Sequence, residues 1–175
     1  QPVNGLLTVQ KTASLNPSQG AVDHGASGPT PGDRVAYTVE IQISDDSAFE
    51  DLVVTDVLGD GLAFVDDPSP EVTLKTGAGT GGTIPVSASA ASNSDGTTEL
   101  VFDLSSALDA ADVDGAADGR VVGGCVPLGG GTVDCSQYDA GPTTLTLTFF
   151  ADILETYRVD PASGDPTVVQ GDVLT

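Results

Sequence analysis

The sequence predicts an all-β fold, an immunoglobulin-like antiparallel β-sandwich enlarged by long loops, on three observations. In residues 34–44, Val35, Tyr37, Val39, Ile41 and Ile43 alternate with Ala36, Thr38, Glu40, Gln42 and Ser44, so one face of the segment is apolar and the other polar. Leu145, Leu147 and Phe149 alternate in the same way with Thr144, Thr146 and Thr148, just after the turn Ala140-Gly141-Pro142. Clusters of Gly, Pro, Asp and Asn punctuate the rest at the spacing expected of a sandwich.

Each further element follows from the same pattern. Weaker strand signals occupy residues 6–12, 52–58, 62–65, 72–76, 83–87, 99–104 and 168–174. Residues 16–32, 77–96 and 105–141 read as insertions or long loops, the last with a short helix around 105–111 started by a Ser cap. The 34–44 pattern has no second copy. The whole chain, 1–175, is therefore expected to be one sandwich module, and any repetition belongs to a longer parent or to assembly.

Composition narrows the functional classes. Lys and Arg number 5 against 26 Asp and Glu, for a formal net charge of −21, and Met and Trp are absent. Such a surface repels nucleic acid and anionic membranes, both of which require a basic face. No stretch reaches the ~18 apolar residues of a membrane span, and no basic segment precedes an apolar run at the N-terminus. A signal peptide or anchor is expected to be removed or to lie outside the chain. An acid coat suits a saline or calcium-rich medium, although acidity also simply keeps a secreted protein soluble.

Cys125 and Cys135 flank a Gly-rich stretch with no His or third Cys to complete a metal site, so a disulfide is expected. Closing so short a loop removes about 2–3 kcal/mol of chain entropy from the unfolded state and implies an oxidising compartment. Two inert buried thiols are the alternative. Asp109, Asp112, Asp114 and Asp118 are the best calcium candidates, because calcium takes six to eight oxygens from closely spaced carboxylates and loop carbonyls. They lack the closing Glu of an EF-hand, and a solvated acidic loop is the plain alternative. His24, the one histidine, sits among Gly, Asp and Ser without a nucleophile-elbow motif. The Gly-rich run 77–82 has no Lys to meet a phosphate. No catalytic residue is identified, and the chain is expected not to be an enzyme.

Leu7-Thr8-Val9-Gln10-Lys11, Pro31-Gly32-Asp33-Arg34-Val35-Ala36-Tyr37-Thr38-Val39, Val53-Val54-Thr55-Asp56-Val57-Leu58 and Gly61-Leu62-Ala63-Phe64-Val65 occur in that order. Val101-Phe102-Asp103-Leu104, Leu145-Thr146-Leu147-Thr148-Phe149 and Gly171-Asp172-Val173-Leu174-Thr175 follow. The series resembles the bacterial and archaeal surface repeat catalogued as domain of unknown function eleven, itself similar to the isopeptide-forming domains of pili and adhesins. The resemblance covers about half of the chain and leaves the three long segments unmatched. It implies an extracellular or cell-surface module, repeating within or building a filament, stalk or sheath, with copies of itself as partners. An adhesin or carbohydrate-binding module on a surface protein is the alternative. It also implies that Lys11 and Asp56 stand where related pilus domains hold an isopeptide-forming lysine and its catalytic acid. The family pattern continues past Leu174-Thr175 with an Asn and a further strand. The sandwich is accordingly expected to be completed by a strand from outside the chain, with residues 1–7 of another copy as donor.

Overall fold

The computed structural model of the protein describes residues 7–15, 29–45, 47–76, 82–112, 116–124, 126–129, 132–134, 142–159 and 167–168. Its strands are β1 (Leu7–Leu15), β2 (Arg34–Ile43), β3 (Ala48–Phe49), β4 (Val53–Leu58), β5 (Leu62–Val65), β6 (Glu71–Lys75), β7 (Thr83–Pro85), β8 (Ala88–Ser92) and β9 (Thr98–Asp103). The helix α1 (Leu104–Ala110) follows, then β10 (Val121–Val122), β11 (Val126–Gly129), β12 (Thr132–Asp134) and β13 (Thr143–Ile153).

β13 is the spine of the larger sheet. One of its edges pairs antiparallel with β2, from Thr143 opposite Ile43 to Asp152 opposite Arg34. The other is divided between β6, along Thr144 to Thr148, and β5, along Phe150 to Ile153. With β1 outside β2 and β7 outside β6, the order is β1-β2-β13-β6-β7. Along β13, Thr143, Leu145, Leu147, Phe149, Ala151 and Ile153 are buried while the residues between them are half-buried. The period of two makes this register firm, because a slip of one residue would send Thr144, Thr146 and Thr148 into the core.

The smaller sheet has the order β4-β9-β8. Leu100 and Phe102 of β9 and Leu58 of β4 face Val39, Ile41 and Ile43 of β2, Val72 and Leu74 of β6, and the buried residues of β13 in one core. The result is an all-β antiparallel sandwich of the immunoglobulin-like class, as the alternations predict. Two short ladders, β3 with β10 and β11 with β12, lie outside the two sheets.

α1 closes the core through Leu104 and Leu108. Its cap is Asp103 rather than a serine: the Asp103 carboxylate accepts the Ser106 backbone N–H at 2.9 Å and the Ser106 hydroxyl at 2.7 Å. Ser105 is buried, and its hydroxyl accepts the Leu52 N–H at 2.9 Å, so it is committed to the neighbouring strand. The Ser106 amide, and then its hydroxyl, hold the Asp103 carboxyl below its ordinary range. A depressed folded pKa gives stability that is present above the unfolded pKa and lost as pH falls through the folded one. Asp103→Ala is expected to cost up to about 1 kcal/mol in denaturant unfolding at neutral pH, the exposed carboxylate placing it low in the range for caps. The difference should shrink below about pH 4, where the unfolded carboxyl is protonated.

Segments expected as loops carry structure of their own. Beyond the expected strand at 83–87 and helix near 105–111, residues 77–96 hold β8, and 105–141 hold β10, β11 and β12. β8 reads Ala-Ser-Ala-Ala-Ser, and such small side chains give no alternation to see; its pairing with β9, Ala88 opposite Phe102, makes it a strand. Of the strand expected at 168–174, Val168 is described: it is buried and donates its N–H to the Glu155 carbonyl at 3.0 Å.

Candidate functional site

The sandwich is open along one side, where β1 of the larger sheet lies beside β4 of the smaller. Among the described residues, no strand pairs with the outer edge of either. The inward face of β1 carries Leu7, Val9, Lys11, Ala13 and Leu15, opposite Ile43, Ile41, Val39, Tyr37 and Val35 of β2. Those partners are buried or half-buried, yet Val9 is 59% and Leu15 43% exposed. A cavity of about 310 Å³ opens at the Leu15 end of β1, lined by Ala13, Leu15, Val35, Tyr37, Leu62 and Ile153 among others.

One ion pair joins the two edges. The Lys11 amine lies 2.8 Å from Asp56 Oδ1 and 2.7 Å from Oδ2, and Oδ1 also accepts the Val57 N–H at 2.9 Å. The amine sits 4.6 Å from the centre of the Tyr37 ring, over its electron-rich face. Tyr37 stacks on Phe149 at 5.2 Å, and Phe149 meets Phe102 of the opposite sheet at 5.0 Å. Burial raises the Tyr37 phenol above its ordinary pKa, and the negative charge of Asp56 adds to the rise. The Lys11 side chain is 39% exposed and Asp56 14%, so the pair contributes at most about 1 kcal/mol while fixing the distance between two strands that share no ladder.

The two residues singled out for isopeptide chemistry are therefore brought together, from strands 45 positions apart in the chain. Isopeptide formation needs a neutral, desolvated amine and an amide or protonated carboxyl to attack. Here the amine is solvent-accessible and faces a carboxylate. Asn93, the one described asparagine, is held in a distant turn by the Thr97 hydroxyl at 3.0 Å. Asn4 and Asn16 lie outside the described residues.

Of the calcium candidates, Asp109 is on α1, Asp112 and Asp118 are exposed and take positive φ, and Asp114 lies outside the described residues. No group of three acidic, His or Cys side chains placed to hold a metal occurs among the described residues. His24, Cys125 and Cys135 also lie outside them. The two strands between the cysteines are described, however, with Val126 directly opposite Asp134. Native protein is expected to resist alkylation at both thiols and to take up two alkyl groups after reduction; labelling without reductant would remove the disulfide.

Sequence reasoning passed over two polar junctions. Arg34 makes a two-pronged contact with Asp152, Nε to Oδ1 at 2.7 Å and Nη2 to Oδ2 at 3.0 Å, and a third bond to the Asp67 carbonyl. Asp60 gathers the N–H groups of Gly61, Arg158 and Val159 at 2.8, 2.7 and 3.1 Å, tying the chain after β13 to the β4–β5 turn. Both join residues about a hundred positions apart, which only the tertiary structure brings together.

No helix among the described residues is long and apolar enough to cross a membrane. The chain is similar in structure to the major pilin SpaA of Corynebacterium diphtheriae, whose structure is described as pointing to a modular pilus assembly stabilizing isopeptide bonds. The TM-score is 0.42 at 20% identity, over 86% of this chain and 29% of the pilin. The chain thus spans under a third of that pilin's length. No family model and no curated protein matches it, so its resemblance to the surface repeat rests on the strand and turn motifs alone.

Proposed function

We propose that the chain is a non-enzymatic structural module, one sandwich over 1–175, of an extracellular filament, stalk or sheath, and that copies join by adding a strand at the open side. One observation carries this reading: the outer edge of the nine-residue β1 has no strand partner among the described residues, its Val9 and Leu15 are exposed, and an apolar cavity opens at its Leu15 end. A long edge presents a ladder of backbone donors and acceptors that another strand can satisfy, and alternate side chains of that strand find the trench. The same contact recurring on each copy is head-to-tail and propagates without closing. Leu7 is paired with Ile43 in its own sheet, which shortens the donor segment expected from the sequence to residues 1–6 at most. The acid coat opposes association in dilute buffer, so assembly should grow with ionic strength.

Electron microscopy and sedimentation of wild type, Val9→Lys and a deletion of residues 1–4 test the reading. Wild type is expected to form regular multimers in salt, and both variants to stay monomeric with an unchanged melting temperature. Wild type that remains monomeric at every concentration, or Val9→Lys that still assembles, would overturn it. Repeating the melts in millimolar calcium at fixed ionic strength tests the 109–118 loop: an upward shift is expected if Asp109, Asp112, Asp114 and Asp118 bind calcium, and a flat response removes the ion.

A further inference from the structure

The outward face of the larger sheet offers a second surface, which starts on β1 and runs across the sheet away from the open side. Register places Gln10, Glu40, Thr146, Thr73 and Thr83 in one row across five strands. Thr12, Thr38, Thr148 and Glu71 form the next. The rows are about 7 Å apart and their members about 5 Å, the lattice of a pleated sheet. Thr73 and Thr83 share a hydroxyl–hydroxyl bond of 2.7 Å, and Gln42 donates to Glu40 at 2.8 Å, so the array is polar and locally ordered. At its end Phe150 lies beside Thr148, Ser69, Glu71 and Pro68 in a cleft of about 210 Å³.

We infer that this face binds a neutral polysaccharide, with the Phe150 cleft holding one sugar ring and the threonine rows tracking the chain that leaves it. Each part of the surface matches that ligand. An aromatic ring takes the C–H face of a pyranose, a carboxylate accepts from its hydroxyls, and threonine hydroxyls both donate and accept. The cleft is smaller than the pockets of drug-sized ligands, which suits a single ring. Charge selects a neutral chain: the face carries Glu40, Glu71 and Asp152, with Asp67 beside Arg34, against Lys75 and Arg34, a small acidic excess on a protein of net charge −21. An anionic polymer would meet the rest of that charge as it approached.

Native gel electrophoresis through hydroxyethylcellulose, dextran or glycol chitin, with carboxymethylcellulose as the charged counterpart, tests the inference. Wild type is expected to be retarded in at least one neutral gel and not in the charged one. Phe150→Ala, and Glu71→Gln at an exposed position that leaves folding intact, should each weaken retardation at least tenfold. Val9→Lys should retain it, which separates this surface from the assembly edge. Unretarded wild type in every neutral gel, or retardation unchanged in Glu71→Gln, would overturn the inference. So would loss of multimers in Glu71→Gln, which would assign the face to contacts between copies.

Discussion

Phe149→Ala is expected to destabilise the protein by about 3–5 kcal/mol, the largest loss from any single side chain of the larger sheet. Phe149 is fully buried on the spine strand and lies between Tyr37 of its own sheet and Phe102 of the other, so its ring is the middle of a stack that crosses the core. Truncation forfeits the transfer energy of the ring and leaves a cavity that two flanking aromatics on separate sheets cannot close together. The neighbouring Phe150→Ala, one position along but on the outward face, should cost less than half as much in the same urea titration. Equal losses would mean that the two faces are not distinguished as described. A second readout follows the Tyr37 phenol, whose raised pKa rests first on burial. Stability from a raised acid is complete below the unfolded pKa and is lost as pH rises through the folded one, so wild type should weaken above about pH 10. Water admitted by Phe149→Ala should return the phenol toward its ordinary value, visible by ultraviolet titration.

Gly96→Ala is expected to cost about 2–5 kcal/mol although the residue lies in a turn outside the strands. Its φ of +87° is one that side-chain-bearing residues rarely adopt, and a Cβ there would fall 2.2 Å from Asp60 Oδ2 and 2.3 Å from Cγ. Backbone strain of about 1–3 kcal/mol and overpacking of similar size both apply. Asp60 cannot step aside without releasing the N–H groups of Arg158 and Val159, which hold the chain after β13 against this end of the sandwich. Limited proteolysis should therefore cut near 155–159 in Gly96→Ala before the rest of the protein unfolds. Asp60→Ala removes the clash and the acceptors together, so the double variant should be less destabilised than the sum of the singles. Additive losses would show that the turn and the carboxylate act independently.

Fold class and the strands that build the core were legible in local sequence patterns. Period-two alternation is a local signal, and 34–43 and 143–153 carry it because each has one face in the core and one outside. It failed where a strand has nothing large to alternate: β8 is Ala and Ser, β3 and β10 are two residues long, and each is a strand only through its partner. The helix was legible but its cap was not, because the choice between Asp103 and Ser105 depended on Leu52 claiming the Ser105 hydroxyl from across the chain. Lys11 and Asp56 were named from motifs alone, yet only the packing of two sheets sets them 2.7–2.8 Å apart, and it leaves the amine open to solvent. The threonine rows were in the sequence as separate alternations on five strands. Register alone joins them into one face, because the neighbour of a residue across a sheet is fixed by long-range pairing and not by its own surroundings in the chain.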